Sequence, residues 1–343
     1  MRAVAYRHAR PITAADALID VEIDRPRLEA HDLLVKVAAV SVNPVDTKVR
    51  RGNDPDGEAK VLGYDAAGTV AEVGPEVTLF KAGDAVWYAG SIARPGSNAE
   101  FHAVDERIVG PKPASLDFGE AAALPLTALT AWELLFDRIG AKQDAQAERR
   151  SLIIVGGAGG VGSIAIQLAR ALTGMTVIAT ASRPETVDWV RQLGAHHVVD
   201  HSRPLLPQLT ALDFPAVDIV MAFAGTKAHA SELADIVAPE GHIGMIEGDG
   251  PAGMAPADFG KLFHKAAALH FELMFVRPRL DGDAMIRQHA ILADVAALVD
   301  AGKLKTTMTT RLMPISAATL RQAHEAVESG RTIGKVVVEG WPD

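Results

Sequence analysis

Residues 151–170 read SLIIVGGAGGVGSIAIQLAR: an aliphatic run (Leu152, Ile153, Ile154, Val155), then a glycine cluster, then at once an amphipathic helical pattern. Gly157, Gly159 and Gly162 fit G-x-G-x-x-G, and that motif between a strand and a helix is the turn that cradles a dinucleotide. One glycine permits the tight turn, one lets the backbone approach a pyrophosphate, and one lets helix and strand pack closely. Gly160 and Val161 open the helix, where free N–H groups and the positive dipole end favour phosphate. The helix is expected to bury Val161, Ala165, Leu168 and Leu172 as one apolar stripe. A purely structural glycine turn is the competing reading.

The second strand bears on which dinucleotide. In residues 175–185, MTVIATASRPE, Ser182 stands where an Asp or Glu would hold the ribose 2′-hydroxyl of NAD. No acid occupies that position. Thr180, Ser182 and Arg183 offer hydroxyls and a guanidinium, which suit a 2′-phosphate because Arg grips phosphate through two parallel N–H bonds. Glu185 is nearby, and Pro184 is expected to turn it away. The expected cofactor is NADPH; the alternative for Arg183 is a solvated surface residue.

Composition excludes other classes. With 34 basic and 43 acidic residues the chain carries a net charge of −9 and no basic run, so nucleic acid is not an expected partner. No signal sequence and no apolar stretch of about 18 residues is present, which predicts no membrane partner and a cytoplasmic protein. The absence of cysteine excludes disulfides, thiol catalysis and cysteine-bound metal.

Along the chain, residues 1–125 read as short strands broken by Gly and Pro, notably 32–42, 66–74 and 84–90. Residues 126–276 alternate strand and helix, with strands expected at 152–155, 176–181, 197–199, 217–222, 242–246 and 269–275. That alternation predicts an α/β doubly wound parallel sheet. Residues 277–343 hold helices over 284–301 and 317–329 and strands near 309–313 and 335–338, expected to return to the N-terminal domain.

The segments SVNPVDTKVRRG (41–52), VLGYDAAGTVAEVG (61–74), GDAVW (83–87), AAALPLTALTAWELL (121–135), VGGAGGVG (155–162) and GKVVV (334–338) occur in this order. Together they resemble the medium-chain dehydrogenase/reductase superfamily, and within it the quinone oxidoreductase-like branch often labelled zinc-type alcohol dehydrogenase-like. The resemblance implies a GroES-like partly closed β-barrel domain (1–125), a Rossmann NADP(H)-binding domain (126–276) and an active site in the cleft between them. It also implies a homodimer.

Zinc-dependent relatives bind catalytic zinc through Cys, His and Cys. Here the aligned positions hold Asn43, Tyr64 of Gly63-Tyr64-Asp65, and Leu126-Thr127. Amide and phenol are poor substitutes for thiolate and imidazole on Zn²⁺. His197 and His201 are four apart but are expected to bracket a strand end rather than share a face, so no metal site is expected.

Without a metal to lower a hydroxyl pKa, alcohol oxidation is disfavoured, whereas a quinone or enone accepts hydride if its oxygen receives hydrogen bonds as charge builds. Asn43 and Tyr64 are the candidate donors, with Tyr64 or solvent returning a proton; Asn43 fixing its loop and Tyr64 simply packing is the alternative. Asp46 joins the catalytic candidates, with loop stabilisation as its principal reading. The resemblance and the sheet geometry add Thr127, Thr130, His201, Phe223, Ala224, Gly225, Ile246 and Lys335 as cofactor contacts. Trp87, Phe271, Met274 and Phe275 are candidates for an apolar substrate pocket, against the alternative that they are core. The expected partner is a small-molecule electron acceptor, quinone or enone. An alcohol or carbonyl dehydrogenase and a non-catalytic NADPH-binding sensor are the rival functions.

Overall fold

Strand β3 (Asp32–Val42) is aliphatic almost throughout, because both of its edges are paired and nearly every side chain is buried, Lys36 being the exposed exception. The computed structural model describes residues 1–144, 150–246, 255–280 and 282–342. Before β3 come β1 (Arg2–Tyr6) and β2 (Ile19–Glu22). After it follow α1 (Pro44–Gly52), β4 (Lys60–Val61), β5 (Ala66–Val73), β6 (Ala85–Tyr88), β7 (Phe101–Asp105), β8 (Val109–Pro111), α2 (Phe118–Ala122) and α3 (Pro125–Trp132).

The alternating region supplies β9 (Ser151–Val155), α4 (Gly160–Leu172), β10 (Thr176–Thr180), α5 (Pro184–Gln192), β11 (His197–Val199), α6 (Leu205–Thr210) and β12 (Val217–Ala222). It continues with α7 (Thr226–Ile236), β13 (Val237–Met245), α8 (Pro256–His264) and β14 (Ala268–Phe271). The chain ends on α9 (Asp283–Asp300), β15 (Met308–Leu312), α10 (Ala317–Glu328) and β16 (Lys335–Glu339). Among the described residues, no helix is long and apolar enough to cross a membrane.

The chain divides into two compact units, Met1–Leu129 with Met274–Asp343, and Thr130–Leu273, against sequence boundaries of 126 and 276. The first unit holds a seven-stranded sheet in the order β15-β16-β3-β5-β6-β8, with β7 also on β3, and a three-stranded sheet β2-β1-β4. Its last strand closes the fold: β16 pairs antiparallel with β3, Val336 opposite Val42. The second unit is a six-stranded parallel sheet in the order β11-β10-β9-β12-β13-β14, the Rossmann order with its reversal between β9 and β12. Ile153, Ile178, Val220, Leu233 and Ile243 form its core.

Three local expectations need correction. In α4, Ala165 and Leu168 are buried, but Val161 and Leu172 are only half-buried, while Ile164, Ile166 and Ala169 are fully buried. Burial runs round this helix, so the single stripe was too narrow. Strand β14 stops at Phe271 rather than 275. The buried Glu272 carboxylate pairs with Arg138 at 2.8 Å, and the next residues turn into a 3-10 helix, Met274–Arg279. The segment after Asn43, read as a loop, is α1. Asn43 is its N-cap, Pro44 supplies a preset φ in the first turn, and the Asp46 carboxylate accepts from the Asn43 N–H.

In the first unit two histidines are held neutral. His102 donates from Nε2 to the Pro95 carbonyl (2.9 Å), which leaves Nδ1 to accept from the Tyr88 hydroxyl (3.1 Å). Burial pushes its pKa down to about 4, with Arg94 adding to the effect. His324, fully buried, is pushed down to about 3 by burial and by Arg50. An unfolded histidine titrates near 6.5, so this stability is present above pH 6.5 and is lost as pH falls toward the folded values. Asp46, described below, works in the opposite direction. The stability advantage of the wild type over His102→Gln should therefore shrink by on the order of 2 kcal/mol between pH 7.5 and 4.5 in urea titrations. A pH-independent difference would show that the fold does not hold this ring neutral.

Candidate active site

In the second unit the chain leaves β9 through Gly156, which adopts φ +81°, a left-handed conformation natural only to glycine. The G-x-G-x-x-G reading began one residue too late to include it. Gly156 N–H donates to the Thr180 hydroxyl (3.0 Å), so Thr180 is spent on holding the turn and is buried away from any phosphate. A Cβ on Gly157 would stand 3.0 Å from the Ala179 Cβ and 3.3 Å from the Thr180 carbonyl. One on Gly162 would drive into the Gly156 carbonyl and lie 2.7 Å from Gly157 Cα. Gly159 meets only the Gly156 carbonyl oxygen, at 3.5 Å, and its backbone is otherwise open to a ligand. It is also the N-cap of α4, and no side chain caps that end, so Gly160 and Val161 begin the helix with amides free for phosphate.

Past β10, Ser182 is exposed and Arg183 half-buried as the N-cap of α5. Glu185 does not turn away: its Oε1 lies 3.1 Å from an Arg183 guanidinium nitrogen. The turn set by Pro184 brings residues 183 and 185 to one side. His201 follows β11 with Nε2 3.3 Å from the Ser182 hydroxyl. Burial first holds His201 below its ordinary imidazole value, with Asp200 opposing. Phe223, Ala224 and Gly225 follow β12 at its carboxyl end; the Phe223 N–H donates to the Val155 carbonyl at 3.0 Å, and Gly225 is left-handed (φ +65°) as the N-cap of α7. Ile246 follows β13 and is half-buried, whereas Gly248 lies outside the described residues. Thr130 is buried within α3.

The first unit builds a buried polar cluster. The Asn43 side chain, 1% exposed, donates from Nδ2 to Asp65 Oδ2 (2.8 Å), with longer approaches to the Tyr64 (3.3 Å) and Ser41 (3.4 Å) carbonyls. Its Oδ1 accepts from the Lys335 ammonium. Lys335 also donates to Asp65 Oδ2 (2.9 Å) and the Val42 carbonyl (3.2 Å) and is 4% exposed. The remaining Asp65 oxygen accepts the Leu126 N–H (2.8 Å) at the start of α3. Burial raises the Asp65 carboxyl above its ordinary range, opposed by Lys335 and by the hydrogen bonds from Asn43 and Leu126. Asp46 accepts from the Asn43 (2.8 Å) and Gly63 (3.1 Å) amides, and burial, with the Asp65 charge adding, pushes it up to about 7.

This geometry corrects several expectations. Lys335 is no phosphate contact, because an ammonium has three hydrogens and all three have buried acceptors. Asn43 and Asp46 are likewise occupied within the frame and have no polar atom spare for a substrate. Thr127 donates its hydroxyl to the Leu124 carbonyl (3.0 Å) within its own helix turn. Trp87 is fully buried on β6, and Met274 and Phe275 are buried as well, whereas Phe271 is 48% exposed at the end of β14. Trp87, Met274 and Phe275 are packed in the interior, Phe275 against the Tyr64 ring.

Tyr64 differs. It is 1% exposed, its ring meets Phe275 edge to face at 5.3 Å, and its hydroxyl has no hydrogen-bond partner among the described residues. Burial, the Asp46 carboxylate and Tyr6 raise its pKa above the usual phenol value, so it keeps its proton at any physiological pH. Asp65 was missed by sequence reasoning, although an acid set in an apolar stretch is a signal that a buried partner exists.

The cluster does not fit a zinc ion. An ammonium already sits among the oxygens of Val42, Asn43 and Asp65, and the amide and phenol nearby are weak ligands. Among the described residues no group of three His, Cys, Asp or Glu is arranged to hold a metal.

Family models match at residues 29–114 (alcohol dehydrogenase GroES-like domain) and 193–338 (zinc-binding dehydrogenase). A zinc-type alcohol dehydrogenase-like protein of Staphylococcus aureus (strain MSSA476) is 40% identical over 315 residues, 92% of each chain. The crystal structure of a Rhizobium etli CFN 42 protein, provisionally named a zinc-dependent alcohol dehydrogenase, is 54% identical with a TM-score of 0.94, covering 100% of this chain and 99% of that one. The quinone oxidoreductase of Coxiella burnetii is 26% identical with a TM-score of 0.80, covering 99% of each chain.

Proposed function

The chain belongs to the medium-chain dehydrogenase/reductase superfamily, among its zinc-type alcohol dehydrogenase-like proteins, and from that premise we propose an NADPH-dependent reductase of quinones or α,β-unsaturated carbonyls that works without zinc. The observation that carries this reading is the Lys335 ammonium held by Asp65 and by Asn43, the residue that the resemblance aligns with the first cysteine ligand of zinc-dependent relatives. A Lewis acid there would serve to form an alkoxide. An electron-poor acceptor needs only a hydrogen-bond donor at its oxygen. The likeness to a quinone oxidoreductase points the same way.

When bound, NADPH supplies the hydride. The turn from Gly156 to Gly162 and the free start of α4 take the diphosphate, and Ser182, Arg183 and His201 take the 2′-phosphate. Tyr64, protonated and unpartnered, donates a hydrogen bond to the acceptor oxygen as negative charge develops. Asn43, Asp65 and Lys335 hold that segment rigid. The working form on this reading is a homodimer, supported by β14 being an end strand of its sheet among the described residues and by the exposed Phe271 and Leu273; sedimentation tests it.

The deciding assay is anaerobic NADPH oxidation by metal-analysed protein with 1,4-benzoquinone, 9,10-phenanthrenequinone, trans-2-hexenal or a simple aldehyde, with NADH in parallel. Quinone or enal turnover unrelated to zinc content, with NADPH preferred, is expected. Aldehyde-only turnover that scales with zinc would overturn the reading in favour of an alcohol dehydrogenase. Tyr64→Phe should lower kcat on the order of 10²-fold with NADPH binding unchanged; an unaltered kcat would remove Tyr64 from the chemistry.

A further inference from the structure

Strands β13 and β14 of the second unit pair in parallel, with His242 opposite Ala268 and Gly244 opposite His270. His242 is two residues from Gly244, so its ring and that of His270 stand on one face of the sheet. Ile243 and Leu269 fall on the other face, in the apolar core. His242 Nδ1 lies 3.0 Å from His270 Nε2, and the ring planes are 37° apart. Both residues are half-buried, and the remaining nitrogen of each ring makes no hydrogen bond among the described residues.

We propose that His242 and His270 form a two-imidazole clip for a late first-row transition ion, Cu²⁺ first, joining the end strand β14 to β13. The nitrogen separation carries the argument. Two nitrogens roughly 2.0–2.1 Å from one ion stand about 2.9 Å apart at a right angle and about 3.3 Å apart at the tetrahedral angle. The observed 3.0 Å matches neighbouring corners of a square, the arrangement of Cu²⁺ and Ni²⁺, rather than the tetrahedron of zinc. Water fills the other corners, since among the described residues no third His, Cys, Asp or Glu is arranged to join them. Both facing nitrogens must offer a lone pair. In the metal-free pair one of them carries the proton between the rings. On binding, that proton passes through solvent to the same ring's other nitrogen, so one tautomer changes and no net proton is released. Burial, then Arg150 and His270, hold His242 below its ordinary value, and burial does the same for His270. The rings are therefore neutral near pH 7.5, and no second proton competes with the ion. The Arg150 charge opposes a dication, which again favours the ion with the greatest affinity for imidazole, Cu²⁺. The clip shares no residue with the Asn43–Asp65–Lys335 cluster, so an ion bound to it belongs to the sheet and not to the Tyr64 site.

Equimolar Cu²⁺ added to the full-length protein at pH 7.5 is followed by electron paramagnetic resonance and by competition titration. A tetragonal signal split by two imidazole nitrogens is expected. His242→Gln and His270→Gln each keep a polar group on the strand and should leave at most one of these nitrogens on the ion. Each should weaken the tightest Cu²⁺ binding by about 100-fold or more, because even a partner outside the ligand set can be worth that much. Cu²⁺ should also raise the melting temperature of the wild type and of neither variant. Cooperative melting without metal shows that the variants are folded. Equal Cu²⁺ affinity in the wild type and either variant, or a wild-type signal from a single nitrogen, would overturn the clip and leave a plain N–H···N contact between the strands. Because the ion itself is the readout, that failure would leave the reductase reading standing.

Discussion

Lys335→Met should destabilise the first unit by about 3–5 kcal/mol, the usual penalty for removing one partner of a buried ion pair. Methionine fills similar space but leaves Asp65 Oδ2 with only the Asn43 amide, and leaves Asn43 Oδ1 and the Val42 carbonyl without their donor. The cost is the desolvated carboxylate, not the loss of a favourable bond. Neutralising that charge should therefore recover much of the loss, and Asp65→Asn/Lys335→Met should be more stable than Lys335→Met alone. Chemical denaturation of the three proteins measures both statements. If Lys335 served a cofactor phosphate instead, its replacement would weaken NADPH binding and leave stability nearly unchanged, a result that would sink the buried-pair account.

A second pair of substitutions separates two glycines that look alike in the motif. Gly162→Ala puts a methyl group into the Gly156 carbonyl and within 2.7 Å of Gly157 Cα, both backbone atoms that cannot move without opening the turn. It should cost about 3 kcal/mol of stability, at the upper end of overpacking effects, and take dinucleotide binding with it. Gly159→Ala meets nothing nearer than 3.5 Å, and φ −73° suits alanine. Its folding cost should stay within about 1 kcal/mol, chiefly from the poorer N-cap. Its methyl nonetheless stands where the backbone must approach the diphosphate, so NADPH affinity should fall about tenfold or more, or about 1.4 kcal/mol. Thermal denaturation and equilibrium binding on the two variants test the contrast. Equal effects on stability would show that the turn is not built as described.

The elements that were legible in the sequence are those whose signal is short-range. Strands β11 and β12 lie over 197–199 and 217–222 as read, and β3 spans 32–42, because runs of aliphatic residues bounded by turn formers need only their neighbours to be interpreted. The N-terminus of α1 was legible in principle and was passed over: Asn43, Pro44 and Asp46 form an N-cap, first-turn proline and N3 acid. β14 was over-read to 275 because LHFELMF is mostly apolar, and only the pairing of the buried Glu272 with Arg138 shows where the strand ends.

By itself, the sequence determined the strand–glycine–helix turn, the alternation that builds a parallel sheet, and the absence of cysteine that rules out thiolate ligands. Each is read from residue types and local pattern, with no need to know which distant residue lies beside which. Only the tertiary structure decided what the polar candidates do. Lys335 meets Asn43 and Asp65 across 292 and 270 residues of chain because β16 pairs with β3, and that strand pairing turns an expected phosphate contact into a buried counter-ion. His201 meets Ser182 because β10 and β11 pair side by side and end on the same side of one sheet. A charge or an imidazole in sequence has no assigned partner. Partner choice is settled by which strands share an edge, and the low dielectric around the buried atoms then makes that choice costly to undo.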